Sequence, residues 1–506
     1  MIFHEGQQTH RIARFVSPSR FGSMKVMPRI AVVGGGLAGI SAALALADAD
    51  SSNEVILIEA RKQLGGRVAS IKDPETGYEL DNCQHACFRV YSRFLQLVAR
   101  AQAHDSVKLQ NKTKLPFIGI PEGNIAVLKD GRLSPPNHML GSMLGFPFLN
   151  LKDKVPMRKV IKKLAKMDEE EMLALDSQNF KSWLEEYGQT KKAIDRFWGF
   201  FVLAALNTKI EEASTKLSAF LFQRGLFNDP HSFDVGAFTA DLSASIHPQL
   251  EAAMLEARID VRTSESVKSL IWDGACKGVR TNKEVIECDT VILALPHHLT
   301  ARLLGSDDAP LEAREIAKNA EQLEYRSLIG IHAIHPKPVL PKDFTFAVCI
   351  DQEVIQMLFN RNAELDEDKW LDSKSQWISV PVSAADEFLE WDDDRFYEEY
   401  VNVVKNTYPE SWCEPTTFKV IRSKKATFAA IVGSDKHRPK QDAISENGVI
   451  LAGAWTDTGW PSTMEGAVRS GLLAASSLLQ KNWNSDDCWE GWPSPPARND
   501  PEWKEW

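Results

Sequence analysis

Apolar residues fall in blocks whose length and spacing outline a fold. Ile30-Ala-Val-Val33 is a short β-branched run of buried-strand character, and Ile40 to Ala47 is apolar enough for a core helix. No charged residue occurs from Ile30 to Ala47, which touches the ~18-residue length of a membrane-span candidate. Gly34, Gly35, Gly36 and Gly39 inside it predict a strand, a glycine turn and a helix instead. Glu54-Val-Ile-Leu-Ile-Glu59 adds a second strand, so the pattern opens as a βαβ unit.

Residues 95–240 are helical and mixed, and Lys152 to Lys166 carries Met157, Val160, Ile161, Leu164 and Ala165 at helical spacing. Asp260 to Leu270 reads as strand-turn-strand, Asp289 to Pro296 as a buried strand, and 326–360 as strands of a second sheet. Gly448 to Gly453 is a late strand, followed by a helix over Ser462 to Leu479 opened by a Ser462/Glu465 capping box. The fold class is therefore α/β: a discontinuous Rossmann-like domain (28–95, 241–300 and 441–481) with an inserted domain. The insert has a helical part (96–240) and a mixed-sheet part (301–440). Residues 1–27 form a flexible extension. Residues 482–506, with five tryptophans and no periodicity, form an extended arm packing on its own or a neighbouring surface.

Composition narrows the function. With 59 Lys+Arg against 69 Asp+Glu over 506 residues, the net charge of −10 argues against a nucleic-acid partner. Seven cysteines, an odd number thinly spread, suit a reducing compartment. Cys83, His85 and Cys87 lack a fourth ligand at usual spacing, so no metal is expected. Residues 1–28 have no apolar core of signal-peptide length, and although acid-poor they read as an extension rather than a transit peptide.

The average charge conceals one cationic segment. Between Lys152 and Lys166 seven cations face a single Asp153, a net +6, just after the apolar run from Met139 to Leu149. An apolar wedge followed by a basic amphipathic helix suits a membrane surface, and a core helix with a solvated face suits the pattern equally.

Gly34-x-Gly36-x-x-Gly39 between strand and helix is a dinucleotide-binding turn. Gly34 permits the tight turn, Gly36 lets the backbone approach a pyrophosphate, and Gly39 lets helix and strand pack closely. Glu59, 23 residues after Gly36, suits a ribose diol. Gly65-Gly66-Arg67 follows, and the Arg67 guanidinium suits a further pyrophosphate or flavin-edge contact.

These segments, with the Val291-Ile-Leu-Ala-Leu-Pro296 strand and Met464-Glu-Gly-Ala-Val-Arg-Ser-Gly471, resemble the flavin amine-oxidase and phytoene-desaturase superfamily. Asp81-Asn-Cys-Gln-His85, Phe201 to Thr208 with Glu211 to Ser214, and Ala452 to Pro461 resemble its squalene-associated branch, the hydroxysqualene dehydroxylases. The likeness covers about 28–480. It implies FAD, held by Gly34, Gly36, Leu37, Ala38, Gly39, Glu59, Ala60, Arg61, Gly66, Arg67, Val267, Gly453, Ala454, Met464, Glu465 and Ala467. It implies an isoprenoid lipid substrate and reductive dehydroxylation of hydroxysqualene to squalene, with Asp81 or His85 as proton donor. A lipid-soluble substrate favours the membrane reading of 139–166, in a cytoplasmic, peripherally associated protein. Two positions depart from the pattern: Cys83 replaces a glycine and narrows the pocket, and Ala454 replaces an acid, with Asp457 as a nearby substitute. The competing readings are a carotenoid desaturase, an amine oxidase, and a flavin-poor interaction protein.

Overall fold

The computed structural model describes residues 28–372 and 374–506, so the extension expected over 1–27 lies outside the described residues. The Rossmann-like half is a five-stranded parallel sheet of β1 (Arg29–Val33), β2 (Glu54–Ile58), β3 (Asp260–Arg262), β4 (Thr290–Leu293) and β5 (Val449–Leu451). Their order is β3-β2-β1-β4-β5, with Ala31 paired to both Ile56 and Val291. Side chains alternate across the sheet. Ile30, Val32, Val55, Leu57, Ile292 and Ile450 share one core with the helix α1 (Leu37–Ala49). Ala31, Val33, Ile56, Ile58, Leu293 and Leu451 face the other way, into a core shared with the inserted domain. Burial on both faces is why these strands read as unbroken apolar runs rather than alternating ones.

The insert is built on a seven-stranded mixed sheet. Its order is Thr417–Phe428, Tyr325–His335, Gln376–Ser383, Met357–Asn360, Phe346–Cys349, Lys114–Ile118 and Ile125–Lys129. The last two strands come from the part expected to be helical. They read weakly because each is short and the edge strand exposes Ile125 and Val127.

Helices follow: α2 (Ser92–Arg100), α3 (Leu140–Leu144), α4 (Leu151–Lys166), α5 (Gly199–Leu206) and α6 (Met464–Leu478). Asn150 and Asp153 cap α4 reciprocally, and Asp153 also accepts from Thr190 Oγ1 at 2.7 Å. The acid inside the cationic stretch is thus a buried cap, and the outer face of α4 carries Lys152, Arg158, Lys162 and Lys166, exposed and without an ion pair among the described residues. The apolar run before it differs from expectation. Met139, Met143, Phe146, Phe148 and Leu149 are buried in the core because Phe146 packs edge-on against Phe117 and Phe148. What stays outside is Leu140 and Leu144, one turn apart on α3, and Leu151 and Val155, one turn apart on α4, the last two about 70% exposed.

Two start signals also move. α6 is capped by Thr463, whose Oγ1 accepts from Gly466 N, rather than by a Ser462/Glu465 box. The Trp-rich tail packs on the chain's own surface, burying Trp489 and Trp492. Among the described residues no helix is long and apolar enough to cross a membrane, and all seven cysteines are free.

Gly39 sets the spacing of α1 on β1: a Cβ there would lie 1.9 Å from Gly34 O. Gly39→Ala is therefore expected to cost about 1–3 kcal/mol or more through overpacking, measured as a lowered thermal midpoint of the protein.

Candidate functional site

A cavity of about 780 Å³ opens where the two halves meet. Its polar end begins at the glycine turn, lined by Gly34, Gly36, Leu37 and Ala38. Gly36 is the N-cap of α1 and no side chain caps that helix, so its first N–H groups stay available to an anion. Gly65 N donates to Gly35 O at 2.8 Å, laying the second glycine pair on the first. A Cβ on Gly66 would meet Gly36 Cα at 3.1 Å, so this cradle stays open only with glycine. Glu59, Ala60, Arg61 and Val267 line the same end. The Glu59 carboxylate accepts from Gly35 N and Arg61 N at 2.7 and 2.8 Å, which holds it at the turn.

Arg67 lines the middle and donates to Ala426 O at 2.7 Å, tying the nucleotide half to the inserted sheet. Burial lowers its pKa. Gly453, Ala454, Met464 and Ala467 line the opposite side. Gly39 does not reach the cavity, and its role is packing.

Three expected site residues are placed elsewhere. Glu465 is fully buried and turned to α2, accepting from Arg93 N at 3.1 Å and Phe94 N at 2.8 Å and pairing with Arg469. It supplies a cap to a neighbouring helix rather than a cofactor contact. Asp457, expected as a substitute near Ala454, does not line the cavity; its backbone bonds to Pro439 and Gln441 and its carboxylate accepts from Gly459 N. Asp81 is also off the cavity. Its carboxylate accepts from Ser70 Oγ, Leu242 N and Arg361 Nη2 at 2.9, 2.9 and 3.0 Å, which leaves it a brace and not a proton donor.

His85 does line the cavity, at the junction of its polar and apolar ends. Its Nδ1 lies 2.9 Å from Cys83 O, so Nδ1 carries the proton and Nε2 is the free acceptor of the neutral ring. Burial pulls its pKa below the ordinary 6.5. Cys83 lines the wall with its Sγ 3.8 Å from Ile329 O, and burial pushes the thiol up to about 12.

The apolar end was not legible as a site. Phe200 and Phe201 of α5 converge there with Phe233, Phe346, Met357 and Phe359. Asn82 Oδ1 and Gln84 Oε1, on cavity-lining residues, are buried without a hydrogen-bond partner among the described residues. Open polar acceptors, a glycine cradle and an uncapped helix end together fit a dinucleotide that carries a ring system into the junction.

The family model described as flavin containing amine oxidoreductase matches residues 37–479. The chain belongs to that family. It is accordingly an FAD-dependent oxidoreductase. A relative named hydroxysqualene dehydroxylase from Zymomonas mobilis is 24% identical over 458 residues, covering 88% of this chain and 98% of the relative. A zeta-carotene desaturase from Arabidopsis thaliana is 23% identical, covering 89% of this chain and 85% of the relative. A Methanosarcina mazei oxidoreductase structure superposes with a TM-score of 0.68 at 16% identity, covering 90% of this chain and all of that one, and shares the fold.

Beside the site, His332 accepts from Trp377 Nε1 at Nδ1 and donates from Nε2 to Asp81 O, an arrangement that needs the neutral ring. Burial lowers its pKa from 6.5 to about 4, while Asp81 pulls upward and Arg361 downward. Its folded pKa lies below the unfolded one, so its contribution to stability is complete above pH 6.5 and is lost as pH falls toward 4. Urea unfolding across that window is expected to show a loss on the order of 3 kcal/mol from this group. His332→Gln is expected to flatten the slope.

Proposed function

We propose that this oxidoreductase removes the hydroxyl of hydroxysqualene to give squalene, consuming a hydride and a proton and releasing water. The observation that carries the reading is one continuous cavity, with a dinucleotide turn at one end and a phenylalanine-rich wall at the other. The Zymomonas mobilis relative's name supports the substrate class. When bound, reduced FAD supplies the hydride. The chain supplies an apolar wall that keeps water from an ionising allylic carbon, and an ionisable group at the junction.

That group is His85. To release hydroxide as water, Nε2 must arrive protonated, and burial makes the imidazolium a minor but strongly acidic form at neutral pH. Squalene formation by the reduced holoprotein is therefore expected to fall as pH rises above the lowered His85 pKa. His85→Gln is expected to lose roughly 10²–10⁴-fold in kcat. Gas-chromatographic identification of the lipid product checks both. A rate that does not decline as pH rises removes His85 from the donor role.

A second reading rests on the same imidazole. Its bare Nε2 is a proton acceptor in the neutral ring, which suits a desaturase running hydride transfer the other way, as the name of the Arabidopsis thaliana relative suggests. Oxidised protein turning over phytoene, with reduced protein inert toward hydroxysqualene, would establish that direction.

The substrate class also suits docking at a bilayer through Leu140, Leu144, Leu151 and Val155, with Lys152, Arg158 and Lys162 facing anionic headgroups. Each such cation contributes about 1 kcal/mol near an anionic surface. Leu151→Asp with Lys162→Glu is expected to abolish co-sedimentation with anionic liposomes while leaving the flavin spectrum intact.

A further inference from the structure

Residues 482–506 lie beyond the stretch the family model matches, yet they wrap both halves of the molecule. The first part is anchored on the nucleotide half. Asp486 pairs with Arg469, Trp489 exchanges two backbone hydrogen bonds with the Gln96 amide, and Trp492 Nε1 donates to Asp48 at 2.7 Å. The second part crosses to the apolar end of the cavity and touches its wall from behind at two places.

At the first, Arg498 pairs with Asp234, whose side chain is fully buried and shared with Arg89 and Thr113. Asp234 stands between Phe233 and Val235, both of which line the cavity. At the second, Lys504–Glu505 pairs in parallel with Val107–Leu109, and Trp506 N donates to Leu109 O at 3.0 Å. That strand delivers the Trp506 ring onto Phe346, with centroids 5.3 Å apart and planes 25° apart. Phe346 stacks in turn on Phe359 at 5.4 Å, and both of these rings line the cavity whereas Trp506 does not.

We propose that this strap determines which chain length the cavity accepts, with Arg498 and Trp506 as positioning residues that act through Asp234 and Phe346. A wall ring stacked on two neighbouring rings and a wall segment held by a buried ion pair cannot yield to a longer hydrocarbon. Without the indole, Phe346 keeps Phe359 and gains freedom where Trp506 stood. Without the guanidinium, Asp234 keeps one ionic partner, Arg89, and the Thr113 hydroxyl. This inference rests on the isoprenoid reading of the same cavity.

The test titrates holoprotein with squalene and with the longer phytoene in detergent micelles, reading the flavin absorption difference spectrum. Wild type is expected to prefer squalene. Trp506→Ala and Arg498→Ala are expected to shift the ratio of dissociation constants toward phytoene on the order of tenfold, while Trp506→Phe and Arg498→Lys keep the wild-type ratio. A strap that merely stabilised the fold would weaken both ligands alike. An unchanged ratio in flavin-loaded Trp506→Ala and Arg498→Ala overturns the inference and leaves the isoprenoid reading standing. Wild-type protein that binds neither hydrocarbon overturns both.

Discussion

The buried ion pair between Arg361 and Asp81 is the contact on which the site depends. Asp81 ends a short strand of the nucleotide half, and Arg361 follows the strand Met357–Asn360 of the inserted sheet. Both side chains are all but inaccessible, and Glu364 completes the cluster on the far side of Arg361. In that environment neither charge has water to fall back on, and removing one partner of such a pair costs about 3–5 kcal/mol. The pair also fixes position. Asn82, Cys83, Gln84 and His85 follow Asp81 directly, and Gln84 is held by Glu364 at 3.0 and 3.1 Å. The segment that presents His85 to the cavity is therefore positioned by a charge network it does not itself expose. Burial pushes the Glu364 pKa up even against Arg361, a measure of how dry the junction is.

A dry junction also explains the division of the cavity. Anion-binding backbone gathers at the end of β1, where helix geometry leaves N–H groups unpaired, and the opposite end is closed by aromatic rings. Inside such a cavity the dielectric is low, and each fixed dipole counts for more than in water. The acidic average of the chain is no obstacle to an apolar partner. The cations of α4 stand on one outer face, next to leucines one turn apart, and the acid in their midst is withdrawn as a buried cap.

The nucleotide half was legible because its determinants are local. A β-branched run, glycines at fixed offsets and an acid at the end of the next strand are each read within a few residues. Two acids misled for a single reason: a carboxylate looks the same in sequence whether it faces a cavity or a helix N-terminus. Glu465 caps α2 from 371 residues away, and Asp81 meets Arg361 across 280. The apolar run from Met139 to Leu149 misled differently. Its composition was right for a lipid-facing wedge, but Phe146 found Phe117 and most of the run became core. The strand Lys114–Ile118 is held by pairing with the distant Phe346–Cys349 rather than by local propensity, and Ile125–Lys129 joins it as an exposed edge strand of a local hairpin.

By itself the sequence determined the strand–glycine turn–helix opening, the α/β class and the cationic face of one helix. These follow from periodicity and backbone sterics, which act over one or two turns of chain. Only the tertiary structure decided which acids are braces, which aromatic rings wall the cavity, and that the tail supports that wall. Those outcomes depend on burial and pairing between segments hundreds of residues apart, where desolvation decides whether a side chain is a tool of chemistry or a fastening of the fold.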